Sequence, residues 1–139
     1  MEDIIVERMA IEKSVAGWNW KYWLGWALGI LPSLLLLTSA YFKFAQPAGF
    51  DESLKQMGWD AGTMRALGFV EIGSTIIYLI PRTAVFGAVL LAAYLGGAVA
   101  THVRVGDPFF APVITGVLVW IGLWLREPRL RALTPLRSA

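Results

Sequence analysis

The sequence predicts an all-α polytopic membrane protein, a bundle of four transmembrane helices with both termini in the cytoplasm. Three observations lead to this prediction. Apolar residues make up 57% of the 139 residues and charged residues 16%, whereas a typical soluble domain has about 25% charged residues. Four apolar stretches, three of them uncharged, approach the length that crosses a bilayer. The basic residues are also divided unevenly between the two sides of the predicted bundle.

The predicted spans cover about residues 22–43, 65–80, 83–103 and 109–125, and they form one transmembrane domain, residues 22–126. The first span contains Pro32, whose missing hydrogen bond neighbouring helices can shield from lipid. The second span is shorter and contains Glu71. Only Pro81 and Arg82 separate it from the third span, so these two helices are expected to form an antiparallel hairpin.

Three segments lie outside the spans. Residues 1–21 alternate charged and apolar side chains, and we expect a solvated cytoplasmic segment, with an interfacial amphipathic helix as the alternative. No secretory signal is expected, because the first apolar run starts late and no small-residue cleavage site follows it. Residues 44–64 are polar and aromatic, which indicates an ordered loop, with a short interfacial helix within it as the alternative. Residues 127–139 are expected to form a basic cytoplasmic tail.

The distribution of Lys and Arg predicts the orientation, since basic residues favour the cytoplasmic side. Eight of them lie on the side of both termini: Arg8, Lys13, Lys21, Arg82, Arg126, Arg129, Arg131 and Arg137. Four lie on the opposite side: Lys43, Lys55, Arg65 and Arg104. An aromatic belt is expected at the cytoplasmic interface, formed by Trp18, Trp20, Trp23, Trp26, Trp120 and Trp124.

Small residues recur at every fourth position of the third span, at Ala84, Ala88, Ala92, Gly96 and Ala100. Small side chains let membrane helices approach closely. The pattern therefore predicts that the third span is the central helix of the bundle, and that Gly97→Leu impairs assembly.

An acidic side chain in the second span is the clearest functional signal. An ionisable group in hydrocarbon costs at least about 2.5–3.5 kcal/mol and is usually paired or functional. Glu71 lies about 9 Å along the helix from Arg65, on a polar stripe with Ser74, Thr75 and Tyr78. Three cationic or titratable residues end neighbouring spans on the same outer side, namely Lys43, His102 and Arg104. We expect these groups to converge at one depth.

Two interpretations of this cluster remain open. Glu71 and either Lys43 or Arg104 could form a structural ion pair that sets helix register. Alternatively, the cluster is the polar end of a ligand pocket for a quinone, an isoprenoid or another lipid. The pocket residues are then Lys43, Glu71, Ser74, Tyr78, Tyr94, His102 and Arg104, with Glu71 and His102 as the candidates for any catalytic role.

Several classes of function lack sequence support. The chain has no cysteine, so it offers no thiol for redox chemistry, and its one histidine argues against a metal site. Nucleotide-binding, zinc-hydrolase and serine-hydrolase motifs are absent from the sequence. The basic residues form no run suited to nucleic acid.

Three strings of the sequence form a recognisable set. They are Y-L-G-G-A-V-A-T-H-V-R from Tyr94, Y-L-I-P-R-T from Tyr78 and W-I-G-L-W-L-R from Trp120. Together with Lys43 and Glu71, this set resembles the DoxX-like family of small bacterial four-helix membrane proteins, and the resemblance covers roughly residues 22–135. It implies a four-helix fold in the bacterial cytoplasmic (inner) membrane. A more distant similarity, to the small membrane subunit of thiosulfate:quinone oxidoreductase, implies quinone-linked sulfur redox.

Three functions are therefore considered. The first is a module that binds a quinone or related lipid and acts as the membrane partner of a redox protein. The second is an enzyme that performs acid–base chemistry, such as isomerisation, on an isoprenoid or lipid. The third is a small transporter or structural subunit, for which four short helices need to oligomerise. A homo-oligomer in contact with membrane lipids is expected, and the identity of any cofactor is left open.

Overall fold

The computed structural model describes Ile5 and residues 19–133, and these residues form α-helices and no strand. The four long helices are α1 (Trp20–Ala45), α3 (Ala61–Leu79), α4 (Ala84–Val105) and α5 (Phe110–Arg126). The two short helices are α2 (Phe50–Met57) and α6 (Pro128–Leu133). The all-α prediction is confirmed. The predictions for residues 1–18, apart from Ile5, and for residues 134–139 lie outside the described part of the chain.

Polar caps and glycines set the helix boundaries. The Asn19 side chain accepts a hydrogen bond from the Tyr22 backbone at the start of α1, and Asp60 does the same for Thr63 at the start of α3. The Thr63 hydroxyl and backbone N–H both donate to Asp60 and hold the pKa of its carboxyl below the ordinary value. Gly58, with φ +72°, ends α2 in the left-handed conformation that glycine adopts readily. The segment predicted as a loop therefore contains a separate short helix.

The long helices form a closed ring in the order α1, α3, α4, α5, in which each helix packs against the two beside it. One end of this ring, the Trp20 end, contains the starts of α1 and α4 and the ends of α3 and α5. The opposite end, the Lys43 end, contains the last turns of α1 and α4 together with α2. The buried hydrophobic cluster includes Leu36, Tyr78, Ala88, Leu91, Leu95, Val119 and Leu123.

The prediction that the third span is central is wrong, because α4 occupies one side of the ring. Its small residues are buried at the Trp20 end, at Ala84, Gly87 and Ala88, and exposed beyond it, at Ala92, Gly96, Gly97 and Ala100. A Cβ atom added at Gly96 or Gly97 would meet no other atom within 4 Å. The reason is geometric. Four residues advance about 400° around a helix, so the stripe turns about 40° further from the interface at each repeat.

The bundle is apolar outside and partly polar inside. Phe69, Phe86 and Ile114 are more than half exposed. The buried polar residues are Ser33, Glu71, Ser74, Thr75 and Arg126. Buried charges are rare in soluble proteins and their exposed apolar patches are small, so this distribution differs from that of a typical soluble protein. Helices α1 and α4 are each long and apolar enough to cross a membrane, and α5 is apolar but shorter, at 17 residues.

Candidate functional site

A buried ion pair joins α1 to α3 near the Lys43 end. The Lys43 ammonium lies 2.9 Å from a carboxylate oxygen of Glu71, whose side chain is only 1% exposed, and the Lys43 side chain is 14% exposed. The same ammonium donates to the Ser39 hydroxyl at 2.6 Å. The sequence left two cations open as partners of Glu71, Lys43 and Arg104. The structure shows that the partner is Lys43.

Local sequence spacing builds this pair. Ser39 and Lys43 are four residues apart on α1, which places their side chains on one face of the helix. Glu71 and Thr75 share the same spacing on α3, and the Thr75 hydroxyl donates to the Glu71 carbonyl at 2.7 Å. Gly68 lies one turn before Glu71, and an added Cβ there would come within 2.9 Å of the Phe44 ring. The missing side chain thus lets α1 and α3 approach closely beside the ion pair.

Helix α4 contributes an aromatic side chain to the same site. The Lys43 ammonium lies 5.9 Å from the centre of the Tyr94 ring, within the range of a cation–π contact. Three helices thus surround one neutralised pair of charges, and we name Ser39, Lys43, Glu71 and Tyr94 the ion-pair site.

Arg104 and His102 lie elsewhere in the structure. The Arg104 guanidinium donates to the Met57 carbonyl and lies 5.8 Å from the Trp59 ring, so it ties α2 to the end of α4. His102 Nδ1 lies 3.9 Å from an Asp107 carboxylate oxygen. Neither side chain contacts Glu71 among the described contacts. The expected convergence at one depth is therefore wrong for these two residues.

The physical reason is axial distance along α4. Tyr94 is level with Glu71, and Arg104 lies ten residues further on, about 15 Å along the axis. Residues that end neighbouring helices on one side of a bundle need not share one depth. The acid–base pair of Glu71 and His102 that the enzyme interpretation requires is not assembled in the described residues.

Ser74 and Tyr78 continue the buried face of α3 away from the ion-pair site. Both are buried, and Tyr78 lies about 10 Å along the helix from Glu71. The Tyr78 hydroxyl donates to the Val119 carbonyl of α5 at 2.9 Å. Tyr78 thus bridges α3 and α5 and lies in a different cluster from Glu71.

That second cluster centres on Arg126, which the sequence analysis counted among the basic residues on the side of both termini and did not include in the candidate pocket. Its side chain is folded into the Trp20 end, where Nη2 donates to the Tyr78 carbonyl at 2.9 Å. The guanidinium lies 4.3 Å from the Trp26 ring centre and 4.5 Å from that of Tyr78. We name these three residues the Arg126 cluster.

Glycines are the sequence signal that could have revealed the Arg126 cluster. A Cβ added at Gly25 would come within 2.8 Å of the Arg126 backbone nitrogen, and one at Gly122 within 2.8 Å of the Gly29 nitrogen. Gly25 and Gly29 are one turn apart, and Gly122 is one turn before Arg126. The three glycines let α1 and α5 approach closely, so that Arg126 is enclosed instead of extending outward.

An apolar groove of about 400 Å³ runs between α4 and α5. Its lining includes Ala92, Gly96, Val113 and Trp120, and it contains none of the seven residues predicted from the sequence to bind a ligand. The exposed part of the small-residue stripe thus borders a groove on the outside of the bundle.

No curated protein and no solved structure matches the chain. The model of the DoxX-like family matches residues 27–124, a segment that contains the whole ion-pair site. Trp26 and Arg126 lie just outside the matched segment, so the Arg126 cluster is only partly covered. Since the match extends over well more than half of the chain, and the motif strings resemble the same family, this chain belongs to the DoxX-like family.

Proposed function

We propose that this protein is a multi-pass protein of the bacterial cytoplasmic membrane that binds a quinone at the ion-pair site. In this proposal it serves as the membrane partner of a redox system. The observation that carries the proposal is the Lys43–Glu71 pair, which is enclosed by three helices and keeps its lysine partly accessible. Another apolar amphiphile whose head group contains a carbonyl would offer the site the same hydrogen-bond acceptor as a quinone.

The surface of the bundle supports a membrane location. The described residues of α1 between Lys21 and Lys43, of α4 before His102 and of α5 before Arg126 include no charged residue. Exposed aromatic residues flank the uncharged length of α1, with Trp23 at one end and Tyr41 at the other. Their separation of 18 residues corresponds to about 27 Å of helix, close to the roughly 30 Å of a hydrocarbon core. In the proposal all four long helices span the membrane, with both termini in the cytoplasm.

The hydrogen-bonding capacity of Lys43 supports a carbonyl ligand. A lysine ammonium has three N–H donors, and Ser39 and Glu71 account for two of them. The third donor can bond a carbonyl oxygen of a quinone ring. Glu71 neutralises the lysine, so the site favours an uncharged head group over an anion, and Tyr94 provides an aromatic wall.

The sequence contains no cysteine and so offers no thiol for redox chemistry. In this proposal a separate redox protein delivers or removes electrons, and the quinone carries them within the membrane. The chain contributes binding and orientation of the head group. Self-association of the chain is part of the proposal, since four helices enclose little volume.

We expect the double variant Lys43→Met/Glu71→Leu to fold and to lose the bound quinone, because both polar groups are replaced by apolar groups of similar size. The matched control is Lys55→Met/Glu52→Leu, the same chemical change on the exposed surface of α2. Each protein is purified in mild detergent, and the apolar molecules that co-purify are extracted and identified by mass spectrometry. The wild type and the control are expected to retain quinone in stoichiometric amounts.

Three results would contradict the proposal. If the double variant keeps the same molecule as the wild type, the ion pair is a structural element and does not bind it. If the wild type carries no apolar molecule and forms a large oligomer, a transporter or structural subunit is favoured. If an isoprenoid with a shifted double bond co-purifies instead, the enzyme interpretation is favoured.

A further inference from the structure

The Arg126 guanidinium is a buried cation that has no carboxylate partner among residues 19–133. The residue is only 8% exposed, and no carboxylate of the described residues lies within 4 Å of it. Nη2 bonds the Tyr78 carbonyl, but Nη1 is buried without a hydrogen-bond partner. A buried charge that lacks a counter-charge is strongly destabilising. The two aromatic rings offset part of this penalty, and an anion would offset more.

The neighbouring Glu127 lines the same pocket, but its carboxylate forms no ion pair with the guanidinium in the described part of the chain. Glu127 accepts a hydrogen bond from the Arg129 backbone N–H at 3.1 Å, so its carboxylate caps α6. A second guanidinium nitrogen of the same segment, Nε of Arg131, is also buried without a hydrogen-bond partner. Lys21 and Arg82 add further positive charge at the Trp20 end. Among the described residues, this end of the bundle therefore has an excess of cationic groups.

A small pocket lies beside the guanidinium. It has a volume of about 40 Å³ and is lined by Tyr22, Trp26, Pro81, Ala84, Leu123, Arg126 and Glu127. One water requires roughly 10–15 Å³ of such volume. The pocket thus admits a few oxygen-sized atoms, and it is too small for an acyl chain.

We infer that this pocket binds a phosphate oxygen of a phospholipid whose head group has a net negative charge, with Arg126 as the counter-charge. Exposed Trp20, Tyr22 and Trp23 lie in the first turn of α1 at the Trp20 end, and such aromatic residues lie at the level of lipid head groups. Basic pockets between membrane helices at that level bind anionic lipids. The inference rests on the proposed membrane location and does not depend on the quinone site, which lies toward the other end of the bundle.

The test measures lipid retention by the whole protein in mild detergent. Purified protein is equilibrated with equal amounts of phosphatidylglycerol and phosphatidylcholine, and the retained lipids are counted by native mass spectrometry. The wild type is expected to prefer phosphatidylglycerol by about tenfold. Arg126→Met should abolish that preference. Arg129→Met, the same change at an exposed position three residues further on, should preserve it.

A second variant keeps the inference testable if Arg126→Met fails to fold. Glu127→Gln removes the negative charge that lines the pocket, while its remaining carbonyl oxygen can still accept from Arg129. Phosphatidylglycerol retention should then rise about threefold, the effect of one nearby surface charge. Equal retention of the two lipids by the wild type would overturn the inference, and so would unchanged retention in Glu127→Gln.

Inorganic phosphate tests whether the anion in the pocket is a lipid phosphate or a free phosphate ion. If millimolar phosphate alone displaces phosphatidylglycerol from the wild type, the pocket takes a free anion and the lipid assignment is overturned. If phosphate leaves the retained lipid in place, the assignment is supported. Quinone retention, measured on the same samples, is expected to be unchanged in Glu127→Gln, so the two proposals can fail separately.

Discussion

Lys43→Met is expected to lower the free energy of unfolding by about 3–5 kcal/mol, because it leaves the Glu71 carboxylate buried without its cation. Glu71 is 1% exposed and cannot extend to water. Glu71→Leu should have a smaller effect, since the lysine side chain is 14% exposed and its long stem can carry the ammonium outward. The measurement is the unfolding of each purified variant in detergent, followed by temperature or by added denaturant.

The double variant Lys43→Met/Glu71→Leu should recover most of the lost stability, because it leaves no unpaired charge. The two single variants and the double variant form a thermodynamic cycle whose coupling energy measures the pair directly. A double variant as unstable as the sum of both single variants would contradict the assigned ion pair. If the double variant regains stability but does not bind the ligand, the ion pair is required for binding and can be replaced in its structural role.

Gly87→Ala is expected to destabilise the bundle by at least about 3 kcal/mol, beyond the usual range for an overpacked core. An added Cβ would overlap the backbone nitrogen and Cα of Tyr78 and lie 2.7 Å from the Ile77 carbonyl carbon. Backbone atoms cannot rotate away as a flexible side chain can, so α3 and α4 would have to separate. The separation would also move Tyr78, which bonds Val119 and Arg126.

Gly97→Ala is the matched control for this prediction. It makes the same chemical change on the same helix, ten residues further along, where an added Cβ meets no other atom within 4 Å. Because alanine favours helix over glycine by about 0.5–1 kcal/mol, this variant should melt at or slightly above the wild-type temperature. If Gly97→Ala impaired folding while Gly87→Ala did not, the arrangement of α4 in the ring would be contradicted.

The ends of the long helices differ from the predicted spans by four residues at most, at the start of α3. Uncharged length and polar caps are local properties, so they can be read along the chain. That Glu71 has a cationic partner was also predictable, since a carboxylate within an apolar stretch is usually paired or functional. That Glu71 pairs with Lys43 and not with Arg104 could not be predicted, because the pairing depends on the axial register between helices.

The composition and spacing of the residues determined the helical class, the approximate limits of the long helices and the prominence of Glu71, and the motif strings carried the resemblance to the DoxX-like family. Only the tertiary structure decided that Lys43 pairs with Glu71, that Arg104 ties down α2, and that Arg126 is folded between Trp26 and Tyr78. The difference has a physical cause. A helix forms from contacts within a few residues, whereas side-chain partners on separate helices depend on close approaches at glycines such as Gly25, Gly68 and Gly87, which set rotation and register together.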